Sequence, residues 1–295
     1  MKAIKTILAL CLMTMATTAD AQTTYVHITK SNGANYDYKS SDISSMTLNT
    51  TAPTSTTRTG VPVRLLPGKF SVRADKTVQF TSSNAYYDSY TSTWHLEEYA
   101  PEARYTYDNH HVNLFYWTTD VATACAQEYS VSSPSTSDDF FLSGSDNNHK
   151  ISIKTSTSPS ITIDGLYVLS SAEWSYLLSG RDNASSLRKY NVIIDGLYTC
   201  IVIAPDDFQG TIADAYTLSD AIAAGFVVMP LAGKRTYTSD GNMFDSQYTT
   251  GYYMTSTPNS SDASQAHTLG SLLGMGFGIQ ENLSRSQGGS IRLVK

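Results

Sequence analysis

Gly251-Tyr252-Tyr253-Met254-Thr255-Ser256-Thr257-Pro258, then Ala266-His267-Thr268-Leu269, then Arg285-Ser286-Gln287-Gly288-Gly289-Ser290-Ile291-Arg292-Leu293-Val294 are the stretches on which the fold turns. Their apolar runs read as strands, and the polar insert between Thr257 and Ala266 reads as a displayed loop. Upstream, Asn191 to Ile194, Leu197 to Ala204 and Phe226-Val227-Val228-Met229 are short, β-branched and bounded by turn residues, which marks strands. Trp174, Ile203, Val228, Ile291 and Leu293 are the expected core.

Helical signals are few. Ser170 and Glu173 form a capping box ahead of Trp174, Leu177 and Leu178, with Gly180 as the stop. Ser219 is expected to cap a second short helix, Asp220 to Ala224, ended by Gly225. Leu65 to Val72 and Lys76 to Phe80 read as two strands around Arg73-Ala74-Asp75. Between Val131 and Lys154 the chain is polar, with Ser132 to Asp138 as loop.

The N-terminal residues divide cleanly. Lys2 and Lys5, the apolar run Ile7 to Met15 and Ala19-Asp20-Ala21 make residues 1–21 a signal peptide with a mature start at Gln22. Cys11 lies within the apolar run without a small residue just before it, which argues against a lipoprotein. Residues 22–48 form a small β unit: Val26 and Ile28 alternate with Tyr25 and His27, Asn32-Gly33 supplies a turn, and Tyr36 and Tyr38 return. Ile43, Met46 and Leu48 close it. Residues 49–60, mostly Thr with Ser and Pro, form a linker, and the main domain spans 61–295.

Composition narrows the partners. The chain carries 20 Lys+Arg against 26 Asp+Glu, and removing Lys2, Lys5 and Asp20 leaves 18 against 25, a net charge of −7. Such a chain repels phosphate backbones, so nucleic acid is not expected as a partner. No segment after the signal reaches the ~20 apolar residues of a membrane helix. Its 20 Tyr offer rigid, amphipathic contact area, and they also suit half-buried strands. Cys125 and Cys200 remain after cleavage. Export permits a disulfide, while Cys200 within Tyr198 to Ile203 reads equally as a small buried hydrophobe.

The closing motifs resemble the Fibrobacter succinogenes major paralogous domain and related secreted proteins of Bacteroides-type bacteria. There the order is roughly G-Y-Y-W-S-S, A-Y-Y-L, then R-S-x-G-x-S-V-R-L-V. Leu169 to Trp174, Ile203-Ala204-Pro205-Asp206-Asp207-Phe208 and Ala223 to Arg235 continue the match, and Phe70-Ser71-Val72 with Lys76, Val78 and Phe80 matches the family's opening. The resemblance covers residues 61–295 and is strongest from 165 on. Met254 and Phe208 stand where the family has Trp, and His267-Thr268 where it has Tyr-Tyr. Residues 24–48 are similar to an N-terminal segment common in exported proteins of the same bacteria, with Asn32 for its Asp and Leu48 for its Phe.

The resemblance implies an α+β, C-type-lectin-like fold with short twisted antiparallel strands, two short helices and long loops, preceded by the small N-terminal β unit. It also implies a non-enzymatic, exported surface protein that binds glycan or protein ligands in adhesion, at the cell surface, in the periplasm or outside the cell. Its ligand-binding residues are then expected between the tyrosine-rich and arginine-bearing motifs: Tyr248, Tyr253, Asn259, His267, Gln280 and Asn282. Aromatic and amide side chains suit stacking on sugars and hydrogen bonding to them.

Two other classes remain open: a structural or assembly subunit of a surface appendage, and a catalyst similar to the formylglycine-generating enzymes. The cysteine pair does not copy that catalyst's motif, and no G-x-S-x-G is present. No cofactor or metal is expected. Asp206-Asp207 suits a cation's oxygen ligands, but reads better as a turn. His110-His111 beside Asp108 would point to opposite faces of a strand. His95, Glu97 and Glu98 read as a solvated edge. Gly274-Met275-Gly276-Phe277-Gly278 lacks dinucleotide-loop spacing and reads as a kinked turn.

Overall fold

The structure is a computed structural model that describes residues 25–29, 35–39, 64–97, 108–154, 160–238, 241–245, 248–272 and 276–295. The signal, Cys11, the linker, Glu98 and the segment Ile43 to Leu48 lie outside the described residues. The chain forms two compact units, Met1–Arg58 and Thr59–Lys295.

In the first unit, β1 (Tyr25–Thr29) pairs antiparallel with β2 (Asn35–Lys39), Val26 opposite Tyr38 and Ile28 opposite Tyr36. This is the hairpin that the period-two alternation predicts.

The second unit begins with two hairpins, β3 (Phe70–Arg73) with β4 (Lys76–Val78), and β5 (Ala85–Asp88) with β6 (Thr93–Leu96). Helix α1 (Val121–Ala124) follows, then β7 (Ile151–Lys154), β8 (Thr162–Val168), α2 (Ser171–Ser175), β9 (Arg188–Ile194), β10 (Tyr198–Ile203), β11 (Ala215–Tyr216), α3 (Leu218–Ala223) and β12 (Val227–Pro230). The remainder is β13 (Lys234–Thr238), β14 (Gly241–Asp245), β15 (Thr250–Pro258), β16 (Gln265–Leu272), β17 (Gly276–Ser284), β18 (Gln287–Gly288) and β19 (Leu293–Val294). Among the described residues strand makes up 41% and helix 12%, which fits an α+β or mainly β class.

The largest sheet runs β11-β9-β10-β12. Cys200 to Ile203 and all of β12 are buried, because the sheet is covered on both faces and therefore carries continuous apolar runs. Helix α2 caps as expected: Ser170 Oγ accepts from Glu173 N at 3.2 Å, and Ser170 N donates back to Glu173 at 2.9 Å. The helix then widens into a π-turn, Tyr176–Gly180. Two sequence expectations are corrected. The cap of α3 is Thr217, not Ser219, since the Thr217 hydroxyl is the one that reaches Asp220 N. And α1, capped by Asp120, is a third short helix where two were expected.

Among the described residues two large core clusters, with a third small one around Leu114 and Ala232, fill the unit. One joins Trp174, Phe70 and Phe80 to the four-stranded sheet, and the other joins Trp117, Phe115 and Phe140 to β7, β8, Ile291 and Leu293. Cys125 and Cys200 are both buried, lie in different clusters and are not joined by a disulfide. Asp206 has the turn role: it accepts from Ser71 N and Oγ at 2.7 Å each and from Arg181 at 2.8 Å.

The closing arginines are internal ties. Arg285 lies over Trp117 at 4.1 Å, bonds Asp138 at 2.5 Å and Ser135 O at 2.9 Å, and donates from Nε to Gln265 O at 3.2 Å. It thereby fixes the irregular 135–138 segment to the β16–β17 hairpin. Arg292 donates to Thr81 O and Val228 O. Burial pulls its guanidinium down to about 10, so it is still a cation at neutral pH. Gly289 pairs with Phe115 on one side, and a Cβ there would sit 2.9 Å from Tyr252 O, so the segment passes only as glycine.

Candidate functional site

The β5–β6 hairpin sorts its side chains by pleat. Tyr87 pairs with Trp94 and Tyr86 with His95, and successive residues face opposite sides. The Tyr87–Trp94 side turns inward: Trp94 packs on Phe115 at 5.4 Å and Phe141 at 6.1 Å. The Tyr86–His95 side turns outward. Asp88 shapes the connecting turn by accepting from Tyr90 N at 2.8 Å and Thr91 N at 3.2 Å.

A third segment docks alongside. Tyr87 and Val112 exchange backbone bonds of 2.8 and 2.9 Å, and Ser89 N donates to Asn109 O at 2.8 Å. Asp108 turns the chain by accepting from His110 N at 2.9 Å. This places His111 over Tyr86, with ring centroids 3.9 Å apart, while His95 stacks on Tyr86 at 4.9 Å. At the tip, Tyr90 and His110 stack at 4.0 Å. Tyr90 is 68% exposed, the largest value among the exposed large hydrophobics.

Polar groups flank these five rings. Glu97 accepts from His111 Nε2 at 2.8 and 3.0 Å and from Asn113 Nδ2 at 3.0 Å. His95 Nε2 meets Thr93 Oγ1 at 2.8 Å. Burial lowers the His95 pKa, and the nearby His111 adds to that against the opposing pull of Asp88. His95 is therefore a neutral ring at pH 7. Glu97 is almost covered, so the expectation of a solvated edge is corrected for Glu97: the docked 108–113 segment closes over it, while His95 stays partly exposed. His110 and His111 do part company, each on its own tyrosine. Among the described residues no set of His, Cys, Asp or Glu comes together to hold a metal ion. What the arrangement offers at its surface is the stacked rings of Tyr90 and His110 beside the Asp88 carboxylate, the pairing that grips a sugar's C–H face and its hydroxyls.

The residues expected from sequence to bind ligand lie elsewhere, in or beside the β15-β16-β17 sheet. Tyr253 is 0% exposed; its hydroxyl donates to Pro230 O at 2.8 Å, and burial raises its pKa. The expectation of a displayed Tyr253 is corrected, because the ring fills the core between β15 and β12. Asn259 is also buried, and its Oδ1 shapes a turn by accepting from Ser261 N at 2.8 Å and Asp262 N at 3.1 Å. The expected displayed loop is thus a tight, internally bonded turn.

Tyr248 is 37% exposed with φ 62°, and His267 is half-buried in β16. Gln280 and Asn282 belong to β17, with side chains outside the described residues. Tyr248 and Asn259 flank opposite ends of β15, whose 9 residues span about 27 Å. One small ligand cannot touch both.

Sequence alone did not single out Tyr86, Tyr90 or Asn113 as binding residues, and it set Glu97 in a solvated edge. Its available signal was local: Tyr86-Tyr87 and Trp94-His95 alternate around a turn opened by Asp88. Comparison of the chain with protein-family models, with curated proteins and with solved structures finds no match.

Proposed function

We propose that this chain is an exported recognition protein of C-type-lectin-like fold that binds glycan through the aromatic face of Tyr86, Tyr90, His95, His110 and His111. The observation that supports it is the exposed Tyr90–His110 stack set beside Asp88, above the Tyr86 stack with Glu97 and Asn113. An exposed ring pair has no packing role in the monomer, yet its rotamers are held by stacking, which limits the entropy lost when a sugar docks. The N-terminal charged and apolar segment with its A-x-A site supports secretion, and N-terminal sequencing of the secreted chain should read Gln22 first.

A glycan array with the mature protein tests the reading, followed by titration of the best glycan into Tyr90→Ala and His110→Ala. Each substitution should weaken binding about tenfold, the scale of one lost aromatic contact, with an unchanged melting temperature. An array without binders, or a bound glycan indifferent to both substitutions, refutes it.

A further inference from the structure

A second concave surface lies away from these rings. It is a cleft of about 460 Å³ between the β3–β4 hairpin, the first turn of α2, β8 and the Ser143 to Lys150 segment. That volume falls within the ~300–1,000 Å³ of small-molecule sites. In a chain of net charge −6 this wall collects Arg73, Lys76 and Lys150 against one acid, Glu173.

Glu173 is not available to a ligand. Its Oε1 holds Lys76 Nζ at 2.5 Å, and its Oε2 accepts from Ser170 N at 2.9 Å and Ser170 Oγ at 3.0 Å. The cations are less committed. Arg73 meets Asp75 at 3.2 Å with both side chains more than half exposed, a pairing worth little in water. Lys150 has no ion-pair partner among the described residues. Lys76 lies 5.0 Å over the Tyr167 ring. Burial pulls its pKa down, but the bonds to Glu173 and Tyr167 outweigh this and leave it raised, so it is an ammonium throughout the neutral range.

The Tyr167 ring is itself held. Gly144 has φ +74°, and a Cβ on it would sit 2.7 Å from the ring. Beside the ring, Ser143 Oγ donates to Ser145 Oγ at 3.1 Å, and Ser145 Oγ donates to Asp139 at 2.6 Å. With their protons committed, the two serines of the cleft wall keep only acceptor capacity, which suits ligand hydroxyls.

We propose that this cleft is a binding site for a carboxylate-bearing sugar of the uronic acid type. Arg73, Lys150 and the remaining Lys76 proton take the carboxylate, Ser143 and Ser145 accept from the hydroxyls, and Tyr167 offers a ring edge to the sugar. A monoanion fits better than a phosphate dianion, because the Glu173 carboxylate lines the same wall and disfavours a second negative charge. The site is separate from the aromatic face, so each can fail alone.

Calorimetric titration of the full chain tests it, with glucuronate, its methyl ester, glucose and inorganic phosphate as probes. Glucuronate should bind, more weakly as salt rises, while the ester and glucose should not. The Arg73→Glu/Lys150→Glu double variant should lose binding by about tenfold or more at an unchanged melting temperature, since both side chains are at the surface. Tyr90→Ala should leave glucuronate binding intact. No glucuronate binding, equal binding of the ester, tighter binding of phosphate, or an indifferent double variant would each overturn the assignment.

Discussion

Replacing Arg285 with Ala removes a guanidinium that is 2% exposed and makes three donor contacts at once. Breaking a buried ion pair from one side costs about 3–5 kcal/mol. Asp138 is 26% exposed, so water partly repairs its loss and moves the figure down. Two stranded carbonyls, Ser135 O and Gln265 O, and the lost stack on Trp117 together move it back up by about 1 kcal/mol. The sum lies near 4 kcal/mol. At about 2–4 °C per kcal/mol for a domain of this size, melting should fall by about 8–16 °C. Thermal and urea unfolding monitored by circular dichroism measure it. Arg285→Lys keeps the charge but not the fork, so it should recover only part of the loss. Asp138→Ala leaves a buried cation unpaired, and the double variant should cost less than the two singles together. A melting temperature within ~2 °C of the parent for Arg285→Ala would refute the tie. So would full recovery by Lys, which would mean that charge alone mattered.

Other outcomes follow from single residues. Gly144→Ala should destabilise by roughly 1–2 kcal/mol or more from its positive φ alone, read by urea midpoint. Cys125, with its thiol pushed up by burial to about 12, and Cys200, pushed higher still, should resist a thiol reagent at pH 8 and react fully in denaturant. Burial holds the His95 pKa in the folded chain below the ordinary histidine value of about 6.5, so protonation favours the unfolded chain. Its contribution is complete above about pH 6.5 and declines as pH falls toward the folded pKa. Imidazole NMR should give a His95 midpoint below 6.5, and a midpoint above it would contradict the burial argument.

Local order was the legible part of this fold. The capping box at Ser170 and Glu173, the apolar runs of β10 and β12 and the β1–β2 and β3–β4 hairpins depend on neighbours a few residues apart, which is the range of a sequence pattern. The Asn259 turn was legible too, since Asn-Ser-Ser-Asp is turn chemistry, but the resemblance drew the reading toward a displayed loop. Tyr253 was not legible. An amphipathic ring suits a binding face and a core equally, and the carbonyl that satisfies its hydroxyl lies at Pro230, on another strand. The aromatic face was hidden for a related reason. Residues 108–113 reach β5 through backbone pairing across an intervening polar stretch, which leaves no periodic trace. Arg235, Arg285 and Arg292 defeat the habit of placing charge outside, because planar guanidinium groups can lie on rings and bridge carbonyls that the chain order does not reveal.

The residues after Gly289 join distant parts of the chain. Ala85 N donates to Ile291 O, Thr81 N to Leu293 O, and Gln79 exchanges bonds with Lys295, while β19 also pairs with β8. On the ribosome, residues 79–85 emerge some two hundred residues before the partners they require. The second unit therefore cannot complete its β structure piecemeal during synthesis. Closing so long a loop also makes folding slow. A chain that keeps its early strands unsatisfied until its late ones arrive stays threadable for a long interval, and needs protection from aggregation during it.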